Sequence, residues 1–199
     1  MTATAPRNGS ALAEYIAGAS QRPLPPEVTD MARLCLADWL GVSIGAADEP
    51  AGHIVREVAA SWRSEGRATV LFGAPAAAPF AALANGTLAH CLDFDDTYVR
   101  AITHTSAPVW AATLALGEEN GADEATMLSA FVTGFETAAR IGDGLGERAD
   151  LGLYRCDCAP LIRGRGECAG GVDRGMRQMA RGVGLEAVFQ NAPAGGVNR

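Results

Sequence analysis

Apolar side chains recur every three or four positions in several stretches of the chain, which is the spacing of an amphipathic helix. The longest stretch covers residues 27–45, and its apolar residues fall on more than one face, so we expect a central, largely buried helix. Similar stretches cover residues 10–20, 54–62, 80–92, 109–117 and 123–139. Only the short apolar run 68–72 suggests a strand-like connector. The first 150 residues are therefore predicted to form an all-α domain of about six helices.

Polar residues mark where the helices are expected to begin. Ser10 and Asp123 are candidate N-caps, and Ser106 is a candidate N-cap for the helix that contains residues 109–117, with Pro108 in its first turn. His104 would then stand just before a helix N-terminus, an end that favours anions and disfavours a protonated imidazole. A substrate carboxylate could bind the N–H groups there while a neutral His104 moves a proton.

The helical pattern ends near residue 150. Residues 1–150 hold nine Arg and 19 acidic residues, whereas residues 151–199 hold seven Arg and four acidic residues, so the sign of the net charge changes. The second segment also contains 10 Gly and three of the five cysteines. We predict a helical domain over residues 1–150, and an irregular tail over residues 151–199 that has diverged or is translated out of frame.

Composition excludes several classes of function. The formal net charge is −7 and the chain has no basic patch, which argues against nucleic acid and anionic membrane as partners. No segment reaches the roughly 18 apolar residues of a membrane span, and the N-terminus lacks the hydrophobic run of a signal peptide. An odd number of cysteines without a secretory signal indicates reduced thiols and a cytoplasmic protein.

Polar chemistry is concentrated in residues 89–98 and 104–108. Asp93, Asp95 and Asp96 lie within four residues, and His90 and His104 are two of the three histidines. Spacing alone favours turns and caps, with a Mg²⁺ or Ca²⁺ site and a proton-transfer site as alternatives. In the proton-transfer interpretation His104 is the base, Asp93 or Asp96 orients its other nitrogen, and His90 only supports Asp93.

The segment 85–97, Asn-Gly-Thr-Leu-Ala-His-Cys-Leu-Asp-Phe-Asp-Asp-Thr, resembles the hallmark of the MmgE/PrpD family. This family includes 2-methylcitrate dehydratase, cis-aconitate decarboxylase and an iminodisuccinate epimerase. Residues 36–45, 67–86 and 131–142 extend the resemblance, which covers about residues 10–148. It implies an N-terminal helical domain that is normally followed by an α+β lid domain, so we expect this chain to be truncated.

The resemblance implies lyase chemistry on a small di- or tricarboxylate by acid–base elimination, without a cofactor or a metal; decarboxylation and epimerisation are the alternatives within the family. By position it implies catalytic roles for Asp93, Thr97 and His104, and we add Asp96 and Ser106 as candidate substrate contacts.

The sequence also departs from the family pattern. Tyr98 replaces the family's common histidine, Thr105 replaces its usual proline, and the loop before His104 is about one residue longer than in the decarboxylase. Family members carry a second histidine and lysines downstream, whereas this chain has no histidine after His104 and no lysine. Arginine binds carboxylates but cannot readily exchange a proton, so we expect weak or no activity from the chain alone.

Two further interpretations remain open. The chain could be a non-catalytic remnant or interaction module that forms a homodimer and exposes an apolar face. Alternatively, Cys156, Cys158 and Cys168 could bind a metal, although a fourth ligand is not evident and zinc prefers closed four-ligand sites. His53, the third histidine, is expected at the surface.

Overall fold

The computed structural model describes residues 8–62, 65–100 and 103–145, and these ranges contain six α-helices and no β-strand. The helices are α1 (Asn8–Ala17), α2 (Pro26–Gly45), α3 (Pro50–Ser61), α4 (Ala78–His90), α5 (Ser106–Asn120) and α6 (Glu124–Leu145), with a 3₁₀ turn at Ala19–Gln21. The predicted all-α class is confirmed for this part of the chain. The predicted tail, 151–199, lies outside the described residues.

Helices α4 and α5 form the centre of the fold. They pack along each other, α2 and α3 pack against α4, and α6 packs against α5. Small side chains allow the close approach: an added Cβ on Gly86 of α4 would lie 3.4 Å from the Cβ of Ala111 on α5. The two helices are consecutive apart from residues 91–105, so the polar segment between them is held at one end of this central pair.

Helix α2 is the clear departure from the sequence prediction. Of its 20 residues only Ala32, Trp39 and Ser43 are buried, whereas Leu34 and Ile44 are more than 60% exposed. The expectation that α2 is largely buried is therefore wrong for the described chain. Apolar residues on every face show that a helix can be covered on any side, but the packing of its neighbours decides which side is covered.

Aromatic side chains join α2, α5 and α6 in the core. The buried indole of Trp39 donates a hydrogen bond to the main-chain oxygen of Ala107, at 3.1 Å. Trp110 stacks on Phe131 with ring centroids 4.2 Å apart and planes 12° apart. Because Ala107 lies in the first turn of α5, the bond from Trp39 fixes α2 beside the end of α5 that faces the polar segment.

The run 68–72 is a connector rather than a strand. It forms a single antiparallel bridge, in which Ala68 pairs with Ala76. The buried side chain of Asn85 holds it to α4: its oxygen accepts the N–H of Leu71 at 2.9 Å, and its nitrogen donates to the carbonyl of Thr69 at 2.8 Å. Asn85 therefore satisfies backbone groups that no neighbouring strand pairs with.

Of the N-caps predicted for α1 and α6, the first is wrong and the second is confirmed. Helix α1 begins at Asn8, so Ser10 lies inside the helix and is not its N-cap. Asp123 does cap α6, because its Oδ1 accepts the N–H of Thr126 at 2.8 Å. Hydrogen bonding from Thr126 holds the pKa of the Asp123 carboxyl below its usual 3.8.

None of the helices in the described ranges combines the length and apolar character that crossing a bilayer requires.

Replacing Asp123 by alanine is expected to destabilise the fold by about 1 kcal/mol at neutral pH, because the cap of α6 is lost. A carboxyl whose pKa is lower in the folded state contributes stability above its unfolded value, and this contribution is lost as the pH falls through the folded value. The difference between Asp123→Ala and the original chain should therefore shrink below about pH 4. Urea unfolding at several pH values measures it.

The control is Asp48→Ala, which removes an exposed carboxylate from the turn between α2 and α3. This variant should unfold at nearly the same urea concentration as the original chain. Equal losses in the two variants, or a loss that does not change with pH, would contradict the assigned cap.

Candidate active site between α4 and α5

The end of α4 turns the chain back toward the helix. The N–H of Cys91 donates to the carbonyl of Thr87 at 3.0 Å, and the N–H of Asp93 donates to the carbonyl of His90 at 3.0 Å. Asp93 has a φ of 58°, in the left-handed region that Asp adopts more readily than most residues. This turn brings the residues after Asp93 back beside His90.

Asp95 lies at the centre of the site. Its side chain is 2% exposed, and both carboxylate oxygens are 3.0 Å from Nδ1 of His90. Its Oδ1 is also 3.3 Å from Nδ1 of His104, and its main-chain oxygen is 3.3 Å from the same nitrogen. The two imidazole rings are 4.8 Å apart. One buried carboxylate thus joins the two histidines.

Sequence reasoning missed this role of Asp95. It assigned the orienting carboxylate to Asp93 or Asp96 and expected His90 to support Asp93. Hydropathy gives no help here, since Phe94 is 76% exposed while its neighbour Asp95 is buried. A spacing of five residues from His90, one turn beyond the helix end, is the only signal in the sequence that points to Asp95.

The other side of His104 faces Asp93. The Oδ1 of Asp93 is 3.4 Å from Nε2 of His104, and the Asp93 side chain is 79% exposed. The structure therefore brings together two of the three predicted catalytic residues. Thr97 is exposed and makes no hydrogen bond to another described residue, so the geometry does not bring it into this cluster.

Asp96 caps α5 from outside the helix. Its Oδ1 accepts the N–H of Ser106 at 3.0 Å, and its Oδ2 accepts the Ser106 hydroxyl at 2.7 Å. The prediction that Ser106 is itself the cap is wrong, because Ser106 is the first residue of α5 and is the residue being capped. A carboxylate does bind at this helix N-terminus, as the charge of the helix end favours, but it belongs to the protein.

Asp96 and Ser106 are hydrogen-bonded to each other, and these bonds stabilise the start of α5. The N–H of Ser106 is engaged, so a substrate carboxylate cannot also bind it without displacing Asp96. Their contact with substrate stays a prediction.

The loop that returns to His104 is closed by Tyr98. Its N–H donates to the carbonyl of Thr103 at 2.8 Å, forming a single antiparallel bridge. Its hydroxyl donates to Oδ2 of Asp143 on α6 at 3.0 Å, which raises the pKa of the Tyr98 phenol. Arg100 also contacts Asp143, at 3.3 Å. Tyr98 therefore anchors the loop to α6.

A cysteine lies close to this end of α5, but it is not an activated nucleophile. Burial raises the pKa of the Cys35 thiol, and the negative charge of Asp96 raises it further. The thiol is therefore neutral at physiological pH, and the neutral form is a poor nucleophile. Among the described side chains at this site, the histidines and carboxylates are the candidates for proton transfer.

The cap from Asp96 gives a test of the site's construction. Asp96→Ala removes both bonds to Ser106 and should cost about 1 to 2 kcal/mol in urea unfolding. Ser106→Ala removes only the hydroxyl bond and should cost less, while the double variant should cost less than the two single losses together. Strict additivity of the two losses would contradict the cap.

One comparison with known proteins found a match, and it covers the helical part of the structure. The chain matches the model of the MmgE/PrpD N-terminal domain over residues 10–154. The searches of curated proteins and of solved structures found no match. The match covers most of the chain and contains α2 to α6 together with His90, Asp93, Asp95 and His104. The chain belongs to the MmgE/PrpD family through this N-terminal domain.

Proposed function

We propose that this chain carries the proton-transfer part of a lyase site for small di- or tricarboxylates, of the type found in 2-methylcitrate dehydratase. The observation that carries the proposal is the position of His104, with Asp95 on its Nδ1 side and Asp93 on its Nε2 side. Epimerisation of a related acid would use the same imidazole to remove a proton next to a carboxylate. Decarboxylation would use its protonated form, because loss of CO₂ leaves a carbanion that takes up a proton.

The contacts of His104 bear on the tautomer of its neutral imidazole. Two acceptors lie 3.3 Å from Nδ1, namely the carboxylate and the main-chain oxygen of Asp95. We therefore place the ring hydrogen of the neutral imidazole on Nδ1, which leaves the lone pair of Nε2 for a proton from substrate. Asp95 does not need to touch the substrate, so it is a positioning residue.

In the elimination, Nε2 takes a proton from a carbon next to a substrate carboxylate. The electron pair of that C–H bond forms a carbon–carbon double bond, and the neighbouring C–O bond breaks. The hydroxide leaves and takes a proton from solvent, giving water and an unsaturated acid, and the imidazolium of His104 then returns its proton to solvent. Asp93 lies 3.4 Å from Nε2 and can stabilise the imidazolium that forms. Thr97, on the exposed side of the loop, is proposed as a hydrogen-bond donor to substrate.

Electrostatics limit the rate expected from this chain. Asp93, Asp95 and Asp96 all lie in the segment between α4 and α5, and no Arg among the described residues forms an ion pair with any of them. A polycarboxylate is repelled by this charge unless cations elsewhere compensate. We therefore expect slow turnover and a high KM from the chain as it stands.

The test follows products after incubation with 2-methylcitrate, citrate and cis-aconitate. His104→Ala should lower turnover at least about 10²-fold, the contribution typical of a positioned acid or base. Asp95→Asn should lower kcat by a similar factor with little change in KM, because the amide would keep the shape of the side chain but not the charge that orients His104. The matched control, His53→Ala, should leave turnover unchanged.

Turnover that survives His104→Ala would overturn the assigned base. A folded chain without turnover on any of the three acids would overturn the lyase proposal for this chain. Circular dichroism of each variant shows whether the helices are intact, so loss of chemistry is separated from loss of fold.

A second candidate function is a non-catalytic interaction module that forms a homodimer. It is favoured by large apolar residues that are exposed on α2, on α3 and directly after α3 in the described chain, namely Met31, Leu34, Leu40, Ile44, Ile54, Val58 and Trp62. Where exposed apolar side chains form a contiguous patch, they mark a surface that binds other proteins. A folded dimer with no turnover is the result that distinguishes this candidate from the lyase.

A further inference from the structure

Four potential metal ligands converge at the end of α4. His90 comes from the last residue of α4, Asp93 and Asp95 from the loop, and His104 from the segment before α5. One donor atom from each residue lies within 4.8 Å of the donor atoms of the other three. The residues are separated by up to 14 positions in the sequence, so the turn at Asp93 and the return loop bring them together.

The separations are close to those of a tetrahedral metal site. Zinc bonds to nitrogen and oxygen of about 2.0 to 2.2 Å place neighbouring ligand atoms about 3.3 to 3.6 Å apart. Nδ1 of His90 and Nδ1 of His104 lie 3.0 Å and 3.3 Å from Oδ1 of Asp95. Asp93 lies 3.4 Å from the other ring nitrogen of His104, Nε2, so its carboxylate has to turn toward Nδ1 to bind the same ion. Solvent leaves room for this turn, because the Asp93 side chain is 79% exposed.

The donor atoms decide which class of ion fits. Two imidazole nitrogens with two carboxylates suit Zn²⁺ and similar transition metals, whereas Mg²⁺ and Ca²⁺ prefer oxygen ligands. Asp96 is not among the converging ligands, because its carboxylate is turned toward the N–H and hydroxyl of Ser106. The sequence alternative of a Mg²⁺ or Ca²⁺ site in the aspartate-rich run is therefore disfavoured.

Charge and access favour the same ion. Asp93 and Asp95 bring two negative charges next to two imidazoles that are neutral when they bind a metal, so one divalent cation balances the cluster. The side chains of His90 and His104 are 36% and 28% exposed, which leaves a route from solvent. Asp95 is buried, and buried carboxylates are found with cations or hydrogen-bond donors.

We propose that His90, Asp93, Asp95 and His104 form a binding site for a divalent transition metal of the Zn²⁺ class. An ion bound there occupies the imidazole of His104, so the ion and a substrate proton compete for the same side chain. Metal binding is measured without turnover, so its outcome is separate from that of the lyase test.

Isothermal titration of the full chain with Zn²⁺ tests the site. We expect one ion per cluster, and an affinity at least about tenfold weaker in His90→Ala and in Asp93→Asn, since even outer partners of metal ligands contribute that much. Asp93→Asn is the mildest change, because Asn tolerates the left-handed backbone and the side chain is exposed.

Two controls locate the ion. His53→Ala removes the one histidine outside the cluster and should leave the affinity within about twofold, well below the loss caused by removing a ligand. Replacement of Cys156 and Cys158 by serine removes two thiolates that also bind zinc. Retained binding in both controls, with loss in the cluster variants, supports the site.

Loss of binding in the cysteine variant alone would overturn the proposal, because the ion would then lie on the thiolates. Binding that is indifferent to His90→Ala and Asp93→Asn, or no binding at micromolar Zn²⁺, would also overturn it. Titration of the same variants with Mg²⁺ should show no site that depends on His90.

Discussion

The buried carboxylate of Asp95 is the group on which the geometry of the site depends. A carboxylate removed from water must be compensated by hydrogen-bond donors or cations, or its burial is strongly unfavourable. Here the compensation comes from Nδ1 of His90 and Nδ1 of His104. This requirement brings two imidazoles to within 4.8 Å of each other and fixes which edge of each ring faces the interior.

The rest of the fold holds this arrangement in place. Close packing of α4 on α5 at Gly86 sets the distance between the two helices, and the cap from Asp96 fixes the first turn of α5. Trp39 binds the same turn from α2, and Tyr98 ties the return loop to α6. Both ends of the polar segment are therefore anchored to the core, so His104 is positioned by packed elements rather than by the loop alone.

The helices and the cap at Asp123 were predictable because they depend on local spacing and on bonds between neighbours in sequence. The exposure of α2 was not, since the side of a helix that is covered depends on residues far away in the chain. The central role of Asp95 was hidden for a similar reason. Three aspartates within four residues have the same chemistry, and only the left-handed turn at Asp93 and the contact with α5 decide where each one points.

The family resemblance drew attention to Asp93 and His104, which lie side by side in the structure, but it gave no role to His90 or Asp95. Thr105 shows how a departure from the family pattern is accommodated. It replaces the usual proline, and its buried hydroxyl has no hydrogen-bond partner among the described residues. Thr105 therefore contributes to this site through its packing and not through its hydroxyl group.

The central claim is that Asp95 holds the ring hydrogen of His104 on Nδ1. Long-range ¹H–¹⁵N correlation spectra of the imidazoles at a pH where they are neutral test it directly. His53 is an internal reference, because Arg56 donates to its Nδ1 and places its ring hydrogen on Nε2. His104 is expected to show the opposite tautomer, which is lost in Asp95→Asn. A His104 spectrum that matches that of His53 and does not change in Asp95→Asn would contradict the account.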